Sequence, residues 1–200
     1  MHLRADRAGL SLVEATVSLA LVGIGLMVTL PALASLRSRA ATAAGARALA
    51  MTLHGLSWKS VAQGRSHGLL FERDEQGWSW YEVRDENRNG LRTAELRDGV
   101  DRRLSGPHRL EDRVPDVTLG FPFEGTFPKI PPGHGLIERL DDPVRIGKSD
   151  LLAFGPLGTA SSGTLYVTDL RESLYAVVLY GRTARVRVWR YDREQRRWTR

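Results

Sequence analysis

Three stretches of this chain bring together side chains able to do chemistry. Asp85-Glu86-Asn87-Arg88-Asn89-Gly90 sets oxygen-bearing side chains at alternate positions with glycine sixth, as in the first half of a calcium-binding loop. A complete loop of that kind carries glutamate at its twelfth position, which here is Leu96, with Glu95 one residue early. Two readings stand: a calcium ion held by Asp85, Asn87, Asn89 and Glu95, or an Asn-Gly turn closed by side-chain hydrogen bonds to the backbone. Near the other end, Arg182, Arg185, Arg187 and Arg190 lie in or beside a strand-like run. Alternation puts Arg185 and Arg187 on one face with Trp189, and turns Val186 and Val188 toward a core. Two guanidiniums about 7 Å apart beside an aromatic ring suit phosphate contact and stacking on a single strand. They equally suit a charged edge strand that resists aggregation. The third stretch, Gly64-Arg65-Ser66-His67-Gly68, spells the nucleophile-elbow pattern, but an elbow needs a strand before it and a helix after it, and the order here is the reverse. The five histidines are scattered without zinc spacing, and neither a phosphate-binding loop nor a dinucleotide fingerprint occurs. No enzymatic activity is expected.

Positioning these groups falls to a chain of 200 residues, enough for one domain plus an anchor helix. The formal net charge of +6 permits contact with nucleic acid or anionic lipid. There is no cysteine, so neither a disulfide nor a thiolate metal site is available and the fold must rest on its core. Between Glu14 and Arg37 no residue is charged, which leaves Ala15 to Leu36 as a 22-residue, mostly apolar run. At 1.5 Å per residue, about 20 residues cross a hydrocarbon layer of roughly 30 Å. A carboxylate at Glu14 and a proline at Pro31 are unusual in such a run, the first for its charge and the second for the lost hydrogen bond and bent axis. Arg4 and Arg7 ahead of the run favour a cytoplasmic N-terminus.

Beyond the run, Ala46, Leu49, Leu53, Leu56 and Val61 recur at three- and four-residue steps, which predicts that the helix continues to about Gly64. Strands are expected near Leu69–Glu72, Trp78–Arg84, Val117–Phe121, Leu151–Phe154, Thr164–Thr168, Leu174–Tyr180 and Arg185–Tyr191. Residues 104–148 hold seven of the nine prolines and are expected to form long surface loops. The class is α+β, a long N-terminal helix packed on antiparallel sheets.

Gly9-Leu10-Ser11-Leu12-Val13-Glu14 resembles the cleavage signal of type IV pilins and type II secretion pseudopilins, written G-F-T-L-x-E, with Leu10 where phenylalanine is usual. The resemblance implies a leader of residues 1–9 removed by a prepilin peptidase after Gly9, methylation of the new N-terminus at Leu10, and Glu14 and Pro31 at the fifth and twenty-second mature positions. Glu14 would pair with the free amine of a neighbouring subunit's Leu10 and so set filament register, because a buried charge needs a partner. Asp150–Ala160 and Ser162–Val167 resemble the F-x-P-x-G-T-x-S-x-G-T-L segment shared by H-type minor pseudopilins and FimT-like minor pilins. Ala184–Trp189 resembles that group's closing G-R-x-R strand, with Ala184 at the glycine.

These likenesses imply a pilin-like fold with residues 10–36 as a membrane-spanning and filament-core helix, 37–64 as its exported half, and 65–200 as a periplasmic β domain. They imply a single-pass protein of the bacterial inner membrane that joins a pseudopilus or pilus. Its partners would be other pilin or pseudopilin subunits, the peptidase, and secreted cargo or DNA. Calcium is plausible in the group's D-x-N-x-N-G loops, and the group's G-R-x-R strand is associated with DNA capture. An assembly subunit for protein secretion is the first expectation, and a DNA-binding minor pilin is the alternative.

Overall fold

The computed structural model describes residues 11–122 and 125–200, apart from the side chains of residues 28 and 30–32. Helix α1 runs Leu12–Gln63. Two compact units divide the chain after Arg37.

In the first unit, the Ser11 hydroxyl accepts a hydrogen bond from the Val13 N–H at 3.2 Å, and Glu14 lies in the first helical turn. A carboxylate is favoured there because the first N–H groups of a helix are unpaired and carry partial positive charge. The large apolar side chains of this segment, among them Leu12, Leu19, Ile24, Met27 and Leu33, are exposed. Among the described residues no helix is long and apolar enough to cross a membrane. The run Ala15 to Leu36 on which a span was expected includes residues 28 and 30–32, whose side chains lie outside the described residues.

The second unit begins at Ser38 and contains the core. Ala46, Leu49, Leu53 and Leu56 of α1 are almost fully buried, which realises the apolar stripe. The stripe ends one residue before its expected last member: Val61 is exposed and Ser60 is buried instead. Ser60 earns that place through hydrogen bonds, since its hydroxyl donates to the Leu56 carbonyl and accepts from the His67 N–H. Gly64, at φ +61°, takes the left-handed position that closes the helix.

Among the described residues ten strands and a short second helix follow: β1 His67–Asp74, β2 Gly77–Arg84, α2 Thr93–Arg97, β3 Arg102–His108, β4 Thr118–Leu119, β5 Val144–Arg145, β6 Leu151–Phe154, β7 Gly163–Thr168, β8 Leu174–Tyr180, β9 Arg185–Asp192 and β10 Arg197–Thr199. One antiparallel sheet has the order β3-β2-β1-β6, and the other β10-β9-β8-β7-β4 with β5 also on β7. Leu69, Phe71, Trp80, Leu152 and Phe154 of the first sheet and Leu165, Val167, Val177 and Leu179 of the second join the α1 stripe in one core. The second sheet is buried on its other face as well, where Tyr166, Ala176, Val178, Trp189 and Trp198 meet Phe121, Phe127 and Ile137. A strand covered on both sides reads as a continuous apolar run, as Leu174–Tyr180 does.

Three expectations need correction. The proline-rich stretch does more than pass over the surface: Phe121, Phe127 and Ile137 from it are buried in that second core, and the Pro128 carbonyl accepts a hydrogen bond from Trp198 Nε1 at 2.7 Å. Its first residues belong to β3, an edge strand whose side chains are almost all exposed and which therefore carries no alternating signal. The expected strand at 117–121 contracts to Thr118–Leu119, and β9 is followed by β10.

Asp169 fastens the β7–β8 turn. One carboxylate oxygen accepts from the N–H groups of Arg171, Glu172 and Ser173, and the other from the Ser38 hydroxyl at 2.6 Å. Burial pushes this carboxyl up, but the hydrogen bonds from Ser38 and the three N–H groups outweigh it and hold the acid below its usual range. The stability so gained is fully present above the ordinary carboxylate pKa and is lost as pH falls from there through the lowered pKa of the folded state. Asp169→Asn should cost about 1–3 kcal/mol at pH 7, and the gap to the parent should narrow toward pH 3 in thermal melts.

Candidate functional site

The segment 155–163 links the two sheets and sets the entrance of β9. Gly155 N–H donates to the Thr159 carbonyl, Ala160 N–H to the Gly181 carbonyl, and Ser161 N–H to the Ala153 carbonyl. The Ser162 hydroxyl accepts from the Gly181 N–H at 3.1 Å. A Cβ on Gly181 would lie 2.6 Å from the Ala160 carbonyl oxygen, so glycine is required for this close approach. The resulting turn at residues 181–184 hands the chain into β9.

Beside this turn lies an open groove of about 700 Å³, bounded by Pro131 and Pro132, Tyr180 and Trp189, and the guanidiniums of Arg182, Arg185, Arg187 and Arg200. Among the described residues no aspartate or glutamate lines it and none of the four arginines forms an ion pair. Arg187 lies with its Cζ 5.8 Å from the Tyr180 ring centre, and Arg200 with its Cζ 4.8 Å from that of Trp189. Trp189 is buried, and its indole N–H has no hydrogen-bond partner. A buried donor without an acceptor costs about 1–3 kcal/mol. The cluster of guanidiniums suits an anionic ligand with acceptor oxygens.

Of the arginines expected to act together, Arg182, Arg185 and Arg187 share this groove and Arg190 does not. Arg190 pairs with Tyr175 across β8–β9, which puts it on the opposite face, where it lines a depression with Arg47, Arg197 and Arg200. Arg200 is the member that the sequence reading lacked. It reaches the groove because β10 pairs Thr199 with Arg190 and delivers the next residue beside Trp189. The Asp192–Gln195 turn, in which the Asp192 carboxylate caps the Gln195 N–H, is the sequence signal for that hairpin.

The loop after β2 has a different geometry. Asp85 is buried and accepts from the N–H groups of Arg88 at 2.7 Å and Gly90 at 2.8 Å. The amide nitrogens of Asn87 and Asn89 donate to the two oxygens of Glu95, and the Asn87 oxygen accepts from the Asn89 N–H. The amide hydrogen bonds of Asn89 and Asn87 hold the Glu95 carboxyl below its usual range. Buried Asp101 accepts from the N–H groups of Glu86 and Arg92, and burial pushes its carboxyl up. The oxygens thus serve the turn itself, and among the described residues no group of three or more histidine, cysteine, aspartate or glutamate side chains is placed to hold a metal ion.

Gly9 and Leu10 lie outside the described residues, and Pro31 is helical in its backbone with its side chain outside them. Ser66 lies between the end of α1 and β1, so the helix precedes the strand, the reverse of a nucleophile elbow. No family model matches this chain, and no curated protein or solved structure matches it.

Ala184 adopts φ +47°, the conformation that a glycine at this place would hold without strain. Ala184→Val should lower stability by about 1–2 kcal/mol. Ala184→Gly should hold or raise it, because relief of the left-handed strain offsets the added freedom of the unfolded chain. Chemical denaturation of the two variants beside the parent checks both.

Proposed function

We propose that this chain is a pilin-like assembly subunit, a minor pseudopilin or minor type IV pilin held in the bacterial inner membrane by residues 10–36 until it joins a filament. The observation that carries the reading is the unbroken α1, apolar and exposed in its first part and buried against antiparallel sheets over Ala46–Leu56. An exposed apolar helix of this kind calls for lipid or partner helices around it. The exported half adds a second bare face: Met51, Trp58 and Val61 are 73%, 76% and 52% exposed on the side away from Leu49, Leu53 and Leu56. In a filament both faces meet neighbouring subunits, Glu14 pairs with the amine at Leu10 of an adjacent subunit after peptidase cleavage at Gly9, and the β domain meets other subunits or cargo. Glu14→Ala should leave membrane insertion intact and abolish filament incorporation, read by fractionation of sheared filaments. Trp58→Glu should also reduce incorporation while changing stability by no more than about 0.5 kcal/mol, as befits a surface position. Normal incorporation of both variants would overturn the reading.

A second reading is favoured by one specific observation, the carboxylate-free groove of Arg182, Arg185, Arg187 and Arg200 over Tyr180 and Trp189. These groups suit phosphates and stacked bases, and under this reading the subunit captures DNA. With four guanidiniums engaged, log affinity should fall against log salt with a slope of about −3. Arg185→Ala/Arg187→Ala should reduce that slope by about 1.5. Absence of binding at low salt would reject this reading.

A further inference from the structure

Strand β9 is paired unequally on its two sides. Toward β8 its pairing runs from Arg185, opposite Tyr180, to Arg190, opposite Tyr175. Toward β10 it covers only Arg190, Tyr191 and Asp192. Arg200 continues the line of β10 beside Trp189, and among the described residues no strand pairs with the outer edge of Arg185–Val188. The backbone N–H and C=O groups of this half-edge form a template for one more strand. The same four residues carry Arg185 and Arg187 on the groove face, beside Arg182 and Arg200.

We infer that the half-edge Arg185–Val188 takes an extended acidic segment of a partner protein by β-strand addition, with carboxylates entering the groove. Resting on the assembly reading above, this names the kind of contact through which the β domain meets another subunit or cargo. Antiparallel or parallel, an added strand repeats its side chains on one face every second residue, about 7 Å apart. Carboxylates at positions i and i+2 therefore stand opposite Arg185 and Arg187, at the distance at which cross-strand ion pairs form. The backbone edge distinguishes the partner, because a nucleic acid makes use of the guanidiniums but has no ladder of amides to lay against the strand.

The test uses the full chain in detergent micelles and a fluorescent peptide with glutamate at alternate positions among threonine and valine. Its counterparts are the same peptide with alternate backbone nitrogens methylated, and an oligothymidylate of equal charge. Binding of the alternating peptide should weaken about tenfold on methylation, the factor expected for loss of one or two backbone hydrogen bonds. Amide exchange should slow within Arg185–Val188. Arg185→Gln/Arg187→Gln should abolish the binding while leaving the circular dichroism spectrum unchanged. Equal binding of the methylated peptide, absence of peptide binding, or protection elsewhere overturns the inference. Tighter binding of oligothymidylate also overturns it and awards the groove to the DNA reading. None of these failures touches the assembly reading, which stands or falls on filament incorporation of Glu14→Ala.

Discussion

The domain that begins at Ser38 depends on one apolar helix face. Ala46, Leu49, Leu53 and Leu56 are the side chains against which residues of both sheets pack, and no disulfide supports them. Each fully buried leucine contributes roughly 1.5–3 kcal/mol relative to exposure. For a domain whose net stability is of the order of 5–15 kcal/mol, truncating one of them removes a large share. The strands are consequently arranged around the helix, and the second sheet, pinned on that side, is free to acquire a second layer on the other. That layer is supplied by Phe121, Phe127 and Ile137, with the Phe121 ring against Tyr166 and the Phe127 ring against Tyr191.

The groove is a by-product of this layering with a chemistry of its own. Alternation along β9 sends Val186 and Val188 to the helix side and Arg185, Arg187 and Trp189 to the other. The second layer reaches Trp198 and Pro131 but stops short of Arg185, so the open end of the sheet keeps its arginines while the rest of that face is buried. Basic groups and the rings of Tyr180 and Trp189 thus coincide because one covering segment ends early.

Most of this architecture was legible in the sequence, for identifiable reasons. The helix stripe announces itself through four buried positions at three- and four-residue steps, and Leu151–Phe154 and Leu174–Tyr180 stand out as short apolar runs with polar or turn residues around them. The α+β class follows from these. What stayed hidden lacked a local signal. β3 contains Gly106 and Pro107 and shows water almost every side chain, and β10 is three residues long and is defined by its partner. Phe121, Phe127 and Ile137 stand among prolines and glycines, so their burial depends on a sheet that is distant in sequence. At the site, strand parity alone separates Arg190 from Arg185 and Arg187, whereas Arg200 enters only through the β9–β10 register. The Asp85–Glu95 loop shows the opposite limit, because alternating oxygen groups read alike whether they face an ion or each other. In the structure the amide donors of Asn87 and Asn89 meet the two oxygens of Glu95.

The hydrogen bond from Ser38 to Asp169 joins the first residue of the β-containing unit to the turn between two central strands. Its acceptor is itself held by three backbone N–H groups of that turn, so one carboxylate ties the start of this unit's helical segment to the hairpin of its second sheet, and the two cannot part there without leaving a buried acid short of donors.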